Sequence, residues 1–207
     1  MAAGPPIPAN DILRLEALRS LNLLDTENDA SFDRITKACT QVFRVPMSVV
    51  SLVDKERQWF KSQQGMSVCE TSRDVAFCSH AILSDQVLVV PDTLKDERFK
   101  NNDLVVGPPH VRFYAGAPLD YEDSQHNHWM LGTLCIIDTA PRELSEEHTI
   151  LLQMLARLVV AEIHTRDRME QENKALVAKT QTRAETAAKS LNEKYIGQVA
   201  ISLSIVF

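Results

Sequence analysis

A thiol and an imidazole two residues apart, Cys78-Ser79-His80, are the side chains in this sequence with most chemistry to offer. Such a pair could ligate a metal, but a zinc site needs three or four ligands, usually at tighter paired spacing. It could form an activated nucleophile, which requires a base within hydrogen-bond reach and an oxyanion site. The plainer reading is a half-buried helical turn with His80 hydrogen-bonded locally. Arg112-Phe113-Tyr114 is the second candidate. On a strand, alternation sends Arg112 and Tyr114 to one face and Phe113 to the other. A guanidinium and a phenol facing one pocket could hold a carboxylate, a phosphate or a purine edge. The plainer reading pairs Arg112 with a nearby carboxylate such as Asp74 or Asp92. The ligand-binding candidates are therefore Phe77, Cys78, His80, Arg112 and Tyr114, with no metal site and no catalytic set among them. Cys39 and Cys135 sit in apolar contexts and read as small buried hydrophobes. Cys69 lies in a polar segment and is the thiol expected to be exposed, and His126, Asn127 and His128 read as solvated loop.

The elements that must position these groups follow from pattern and composition. The 207 residues carry 28 acidic and 22 basic side chains, a formal charge of −6. That balance argues against a general nucleic-acid binder, whose footprint is a clustered basic surface. No apolar run reaches the roughly 20 residues of a bilayer span. The first ten residues lack a basic start and a long apolar core, so a cytoplasmic chain with reduced thiols is expected. From Arg142 to Ile196 there is neither Gly nor Pro, which predicts one long final helix.

After a Pro-rich leader, Asn10 or Asp11 starts a helix with Ile12, Leu15, Leu18 and Leu21 at helical spacing. A second helix runs from about Asp29 to Phe43, with Phe32, Ile35, Cys39, Val42 and Phe43 on one face. Strands are predicted over Pro46–Asp54, from Trp59 to Ser62, and over Val87–Asp92, Val111–Leu119 and Met130–Asp138. Gln63 to Asp74 reads as irregular, and Val75 to Leu83 as a short helical turn. The final helix is capped by Ser145, and its broad apolar face comprises Ile150, Leu151, Met154, Leu155, Leu158, Val159, Ala161 and Ile163. The fold class is α+β: a central antiparallel sheet of five to six strands, terminal helices on one face, an irregular insert on the other, and a long C-terminal helix. A small-molecule pocket belongs between sheet and insert.

Several stretches together resemble the GAF domain family of sensor modules. They include Phe32-Asp33-Arg34-Ile35, Ser51-Leu52-Val53-Asp54, Arg57-Gln58-Trp59-Phe60-Lys61-Ser62 and Arg73 through Ile82. Val89-Val90-Pro91-Asp92, Arg112 through Leu119 and Leu131 through Asp138 continue the match in family order. The subgroup it resembles is that found ahead of histidine kinases and diguanylate cyclases. The resemblance implies a flexible leader over 1–10, a sensor domain over 11–165, a helical signalling linker over 166–194 and an apolar tail over 195–207. In the tail, Lys194 through Ala200 is similar to the approach to a histidine kinase phosphoacceptor segment, with Ile201 where the histidine would stand. The implied partners are an unknown small-molecule ligand, a second copy docked through the terminal helices, and an output kinase or cyclase domain, with no cofactor. Covalent bilin attachment at Cys78, known in photoreceptor members, lacks its other chromophore-contacting motifs here. With no complete active site in view, no catalysis is expected. The rivals are a free methionine sulfoxide reductase using Cys69 and Cys78, and a non-binding dimerisation module. The final helix beyond Thr165 carries a broken heptad seam through Leu151, Leu155, Leu158, Glu162, Thr165, Met169, Glu172 and Leu176.

Overall fold

A computed structural model describes residues 5–204, with side chains through residue 189. The chain divides into two units, Met1–Ile163 and His164–Phe207. The first contains helices α1 (Asp11–Ser20) and α2 (Ala30–Phe43) and strands β1 (Met47–Val53), β2 (Arg57–Gln64) and β3 (Glu70–Ser72). It continues with α3 (Phe77–Ala81), β4 (Leu88–Val90), α4 (Asp103–Val106), β5 (Phe113–Glu122) and β6 (His128–Asp138). Helix α5 (Glu146–Ser204) then contributes its residues to Ile163 to the first unit, and its remainder makes up the described part of the second. The side chains of the tail compared with a phosphoacceptor segment lie outside the described residues.

The six strands form one antiparallel sheet in the order β3-β2-β1-β6-β5-β4. β1 is buried along its whole length, as befits an apolar, β-branched strand lying between β2 and β6. Alternation gives the central strands two apolar faces. Phe113, Ala115, Ala117 and Leu119 of β5 meet α1, α2 and α5 on one side, together with Trp59, Leu134 and Ile136. Val49, Phe60, Tyr114 and Cys135 meet the insert on the other side, where Phe77, Cys78, Phe99, Val105 and Val111 form a roof.

Three expectations are corrected. Ile12 is 76 % exposed. Repeated steps of three residues lag a 3.6-residue turn by about 60° each, so Ile12 rotates off the face that buries Leu15 and Leu18. On α5, Leu152, Ala156, Val159 and Ile163 are buried, while Ile150, Met154 and Leu158 stay exposed. Leu151 and Leu155, given to the heptad seam, pack against the domain's own core. The hairpin loop after β5 is also shorter than expected, because β5 runs to Glu122 and β6 begins at His128.

Asp11 takes the buried place on α1. Arg14 Nε donates to it at 2.8 Å, and Arg73 donates through Nη1 at 2.8 Å and Nη2 at 3.0 Å. Arg14 also donates to the Val53 carbonyl at 2.7 Å. Arg73 opens the turn that leads into α3, so this triad pins α1 to β1 and to the start of the roof. Burial pushes the Asp11 carboxyl up, but the hydrogen bonds from Arg73 and Arg14 outweigh it and hold its pKa below the usual carboxylate range. Its contribution to stability is therefore complete above the unfolded-state value of about 3.9 and fades as pH falls through that value toward the folded one. Asp11→Asn, which strands two buried guanidinium groups, is expected to cost about 3–5 kcal/mol in urea denaturation at pH 7. That deficit should shrink progressively as the titration is carried below about pH 4.

Candidate functional site

The site is built on the insert-facing side of β5 and β6. Tyr114 points to this face and Phe113 to the helices, as alternation requires. The phenol folds over Gly116: a Cβ there would sit 2.1 Å from Tyr114 Oη. Glycine is what lets the ring lie against the sheet.

Tyr114 stacks on Phe77 with centroids 5.1 Å apart, and Phe77 stacks on Phe99 at 4.3 Å. Tyr114 and Phe77 thus join sheet to roof through rings in offset contact, each pair adding about 0.5–1.5 kcal/mol beyond area burial. Below them lies the Cys78 sulfur. Thr133 Oγ1 donates to it at 3.1 Å and Tyr114 Oη at 3.5 Å, while the Cys135 thiol donates to the Val49 carbonyl at 3.6 Å. The neighbouring Cys135, then Thr133 and Tyr114, pull the Cys78 thiol pKa below its ordinary value against the opposing effect of burial. The neighbouring Cys78 and burial push Cys135 well up, and burial followed by the nearby sulfurs raises Tyr114 likewise.

A cavity of about 30 Å³ opens beside this cluster. It is lined by Val49, Phe60, Met66, Phe77, Leu104, Val111 and Ile137, with Cys78, Cys135 and Tyr114 in its wall. One polar edge comes from Gln58 and Thr71, where Gln58 Nε2 donates to Thr71 Oγ1 at 2.6 Å. The enclosed volume holds about one water, so a larger ligand must lift the roof. The roof is secured by separate hydrogen bonds, Asn102 Nδ2 to the Val75 carbonyl at 3.0 Å and Thr93 Oγ1 to the Val111 carbonyl at 2.7 Å.

Of the five candidates, the structure brings Phe77, Cys78 and Tyr114 together at the cavity. His80 does not reach it. Its ring stands edge-on to Phe99 at 4.8 Å, and burial, then the nearby Arg98, lower its pKa. Arg112 does not reach it either, because its guanidinium donates to Asp92 at 2.9 Å and 3.2 Å, the plain pairing. Cys69 is exposed and Cys78 buried, and all four thiols are free. Thr133, Cys135, Gln58 and Thr71 were not singled out for the site from sequence. For Thr133 and Cys135 the signal is strand alternation, which places Cys135 on the face opposite Leu134 and Ile136. No group of three or more His, Cys, Asp or Glu side chains suited to a metal occurs among the described residues.

A six-stranded antiparallel sheet with helices on one face and a roofed cavity on the other is the architecture of the GAF domain. The chain belongs to the GAF domain family, whose match covers residues 27–163. A cyclic di-GMP phosphodiesterase of Pseudomonas aeruginosa is 40% identical over 164 residues, 79% of this chain and 27% of that protein. The chain thus spans about a quarter of that relative's length. A free methionine-R-sulfoxide reductase of Neisseria meningitidis superposes with a TM-score of 0.53 at 17% identity, covering 82% of this chain and 99% of that one. A domain of a putative two-component sensor histidine kinase of Sinorhizobium meliloti does so at 0.50 and 14%, covering 69% and 94%. These last two similarities show the fold.

The expectation of no enzyme is corrected here. The relative at 40% identity is named a phosphodiesterase, and a structural neighbour is a reductase. A reading confined to residues that match a quarter of that relative had no view of the remainder of its length.

Two substitutions test the packing at the site. Tyr114→Phe keeps the ring and removes one donor to Cys78, and is expected to cost about 0.5–1.5 kcal/mol in urea denaturation. Gly116→Ala displaces the phenol itself and should cost about 1–3 kcal/mol. Equal stability of Gly116→Ala and the unsubstituted protein would contradict the close approach.

Proposed function

We propose that this chain is a sensory GAF domain controlling an enzymatic output, and that the output is hydrolysis of cyclic di-GMP. The observation that carries the sensory part is the apolar cavity with its single polar edge, enclosed between the sheet and a roof that must lift to admit a ligand. Support for the output comes from the name of the Pseudomonas relative. A small, mainly apolar ligand enters between roof and sheet and favours one packing of the insert. The size of the response is bounded by the ligand's differential affinity for the two packings.

A second copy is the partner that the helix surfaces favour. Ile150, Met154 and Leu158 recur at four-residue intervals on α5 and remain exposed, as do Ile12 and Leu13 on α1. A homodimer through these side chains uses the face of α5 opposite Leu152 and Ala156. The double substitution Met154→Glu, Leu158→Lys is expected to halve the mass measured by light scattering while leaving the thermal unfolding transition intact.

The regulatory reading is tested by exchange. This chain replaces the matching segment of the Pseudomonas phosphodiesterase, and cyclic di-GMP hydrolysis is measured with and without Leu104→Phe, which fills the cavity from the roof. The exchanged enzyme is expected to be active, and the filled variant to differ from it by about fivefold or more, the low end of ordinary allosteric coupling. Identical rates for the two would overturn the proposal.

A further inference from the structure

Two of the four thiols, Cys78 and Cys135, line the same cavity, on opposite sides of the boundary between roof and sheet. What distinguishes the pair is polar company inside an apolar wall. Thr133 and Tyr114 both donate to the Cys78 sulfur, and the Cys135 thiol, in the sheet wall of the same cavity, donates to the Val49 carbonyl at 3.6 Å. Cys39 provides the contrast: it is buried among α2 and the helix-side core, and burial pushes its thiol up to about 11. Donors that converge on a sulfur favour its thiolate, the form that reacts. The adjoining space admits a molecule about the size of water and little more.

We propose that Cys78 and Cys135 are a peroxide-responsive dithiol, oxidised to a disulfide by hydrogen peroxide that enters the cavity. The Cys78 thiolate attacks one peroxide oxygen. The O–O bond breaks, leaving a sulfenic acid and a hydroxide that takes up the proton Cys78 had released. The Cys135 thiol then attacks the sulfenic sulfur, the S–O bond breaks, and a second water leaves with the Cys135 proton. Two thiols lose two electrons and one peroxide becomes two waters. The product ties α3 to β6, which fixes the roof on the sheet and places the ligand cavity under redox control. This goes beyond the sensory reading and is judged by a different readout.

The test uses the full chain carrying Cys69→Ser, so that the exposed thiol takes no part. The protein is treated with hydrogen peroxide while folded, then denatured, alkylated and peptide-mapped. The expected result is the loss of two alkylatable thiols, a disulfide joining the Cys78 and Cys135 peptides, and unchanged alkylation of Cys39. In Cys135→Ala the joined peptide should vanish and a dimedone adduct should appear on Cys78. Full alkylation of Cys78 and Cys135 after peroxide, or a bridge that uses Cys39 instead, would overturn the proposal whether or not Cys135→Ala folds. Because the map reads sulfur alone, it can fail while the exchanged phosphodiesterase still responds to the filled cavity, and the converse also holds.

Discussion

The phenol of Tyr114 occupies the space that a side chain at position 116 would need, and the cavity is arranged around that exchange. Gly116 gives up side-chain packing and adds backbone freedom to the unfolded chain, a cost of about 0.5–1 kcal/mol relative to Ala. In return a large amphipathic side chain lies along the sheet with its hydroxyl turned to Cys78 and its ring offered to Phe77. Phe77 carries the contact to Phe99, and His80 closes the outer edge. The roof contains little regular structure: α3 has five residues and α4 four. Its place over the sheet therefore depends on this column of rings and on a few side-chain hydrogen bonds rather than on its own helices.

Short physical paths connect the cavity to both terminal helices of the first unit. Arg73, at the entrance to α3, reaches the Asp11 carboxylate at the start of α1. Thr133 and Cys135 lie on β6, and the residues after β6 are held by Arg142, which pairs with Asp138 and donates to the Arg44 carbonyl at 2.7 Å. The Asp11 triad is charged and buried, so its members separate only at considerable cost. Movement in the roof is thus resisted at its Arg73 end by a charged, buried triad and along the segment that carries Leu104 and Val111 by neutral hydrogen bonds.

Much of this arrangement was legible in the sequence. The β-branched run over Met47–Val53, the alternation of Phe113 and Tyr114 and the paired faces of Trp59 and Phe60 sufficed for an antiparallel sheet with two apolar faces. Ser145 before α5 marked a helix start by cap chemistry, and its side chain accepts the backbone bond expected of it. What escaped was set by tertiary pairing. β3 is three polar residues that become a strand because Arg57, Gln58 and Trp59 of β2 present an edge to them. Arg112 shares its strand face with Tyr114, yet Asp92 takes up its guanidinium. Cys135 looked like a bland core thiol because its partners, Cys78 and Tyr114, come from segments 57 and 21 residues earlier. The buried face of α5 was misplaced because its apolar residues surround much of the helix, and only the sheet decides that Leu152 and Ala156 face inward.

The central claim is that the space between roof and sheet is where this domain takes its signal. The most direct measurement is a non-denaturing mass spectrum of the protein purified from its native host, compared with the Leu104→Phe form prepared in the same way. The account predicts a small-molecule adduct on the unsubstituted protein that is lost from the filled form. Identical spectra from the two, with or without an adduct, would contradict it.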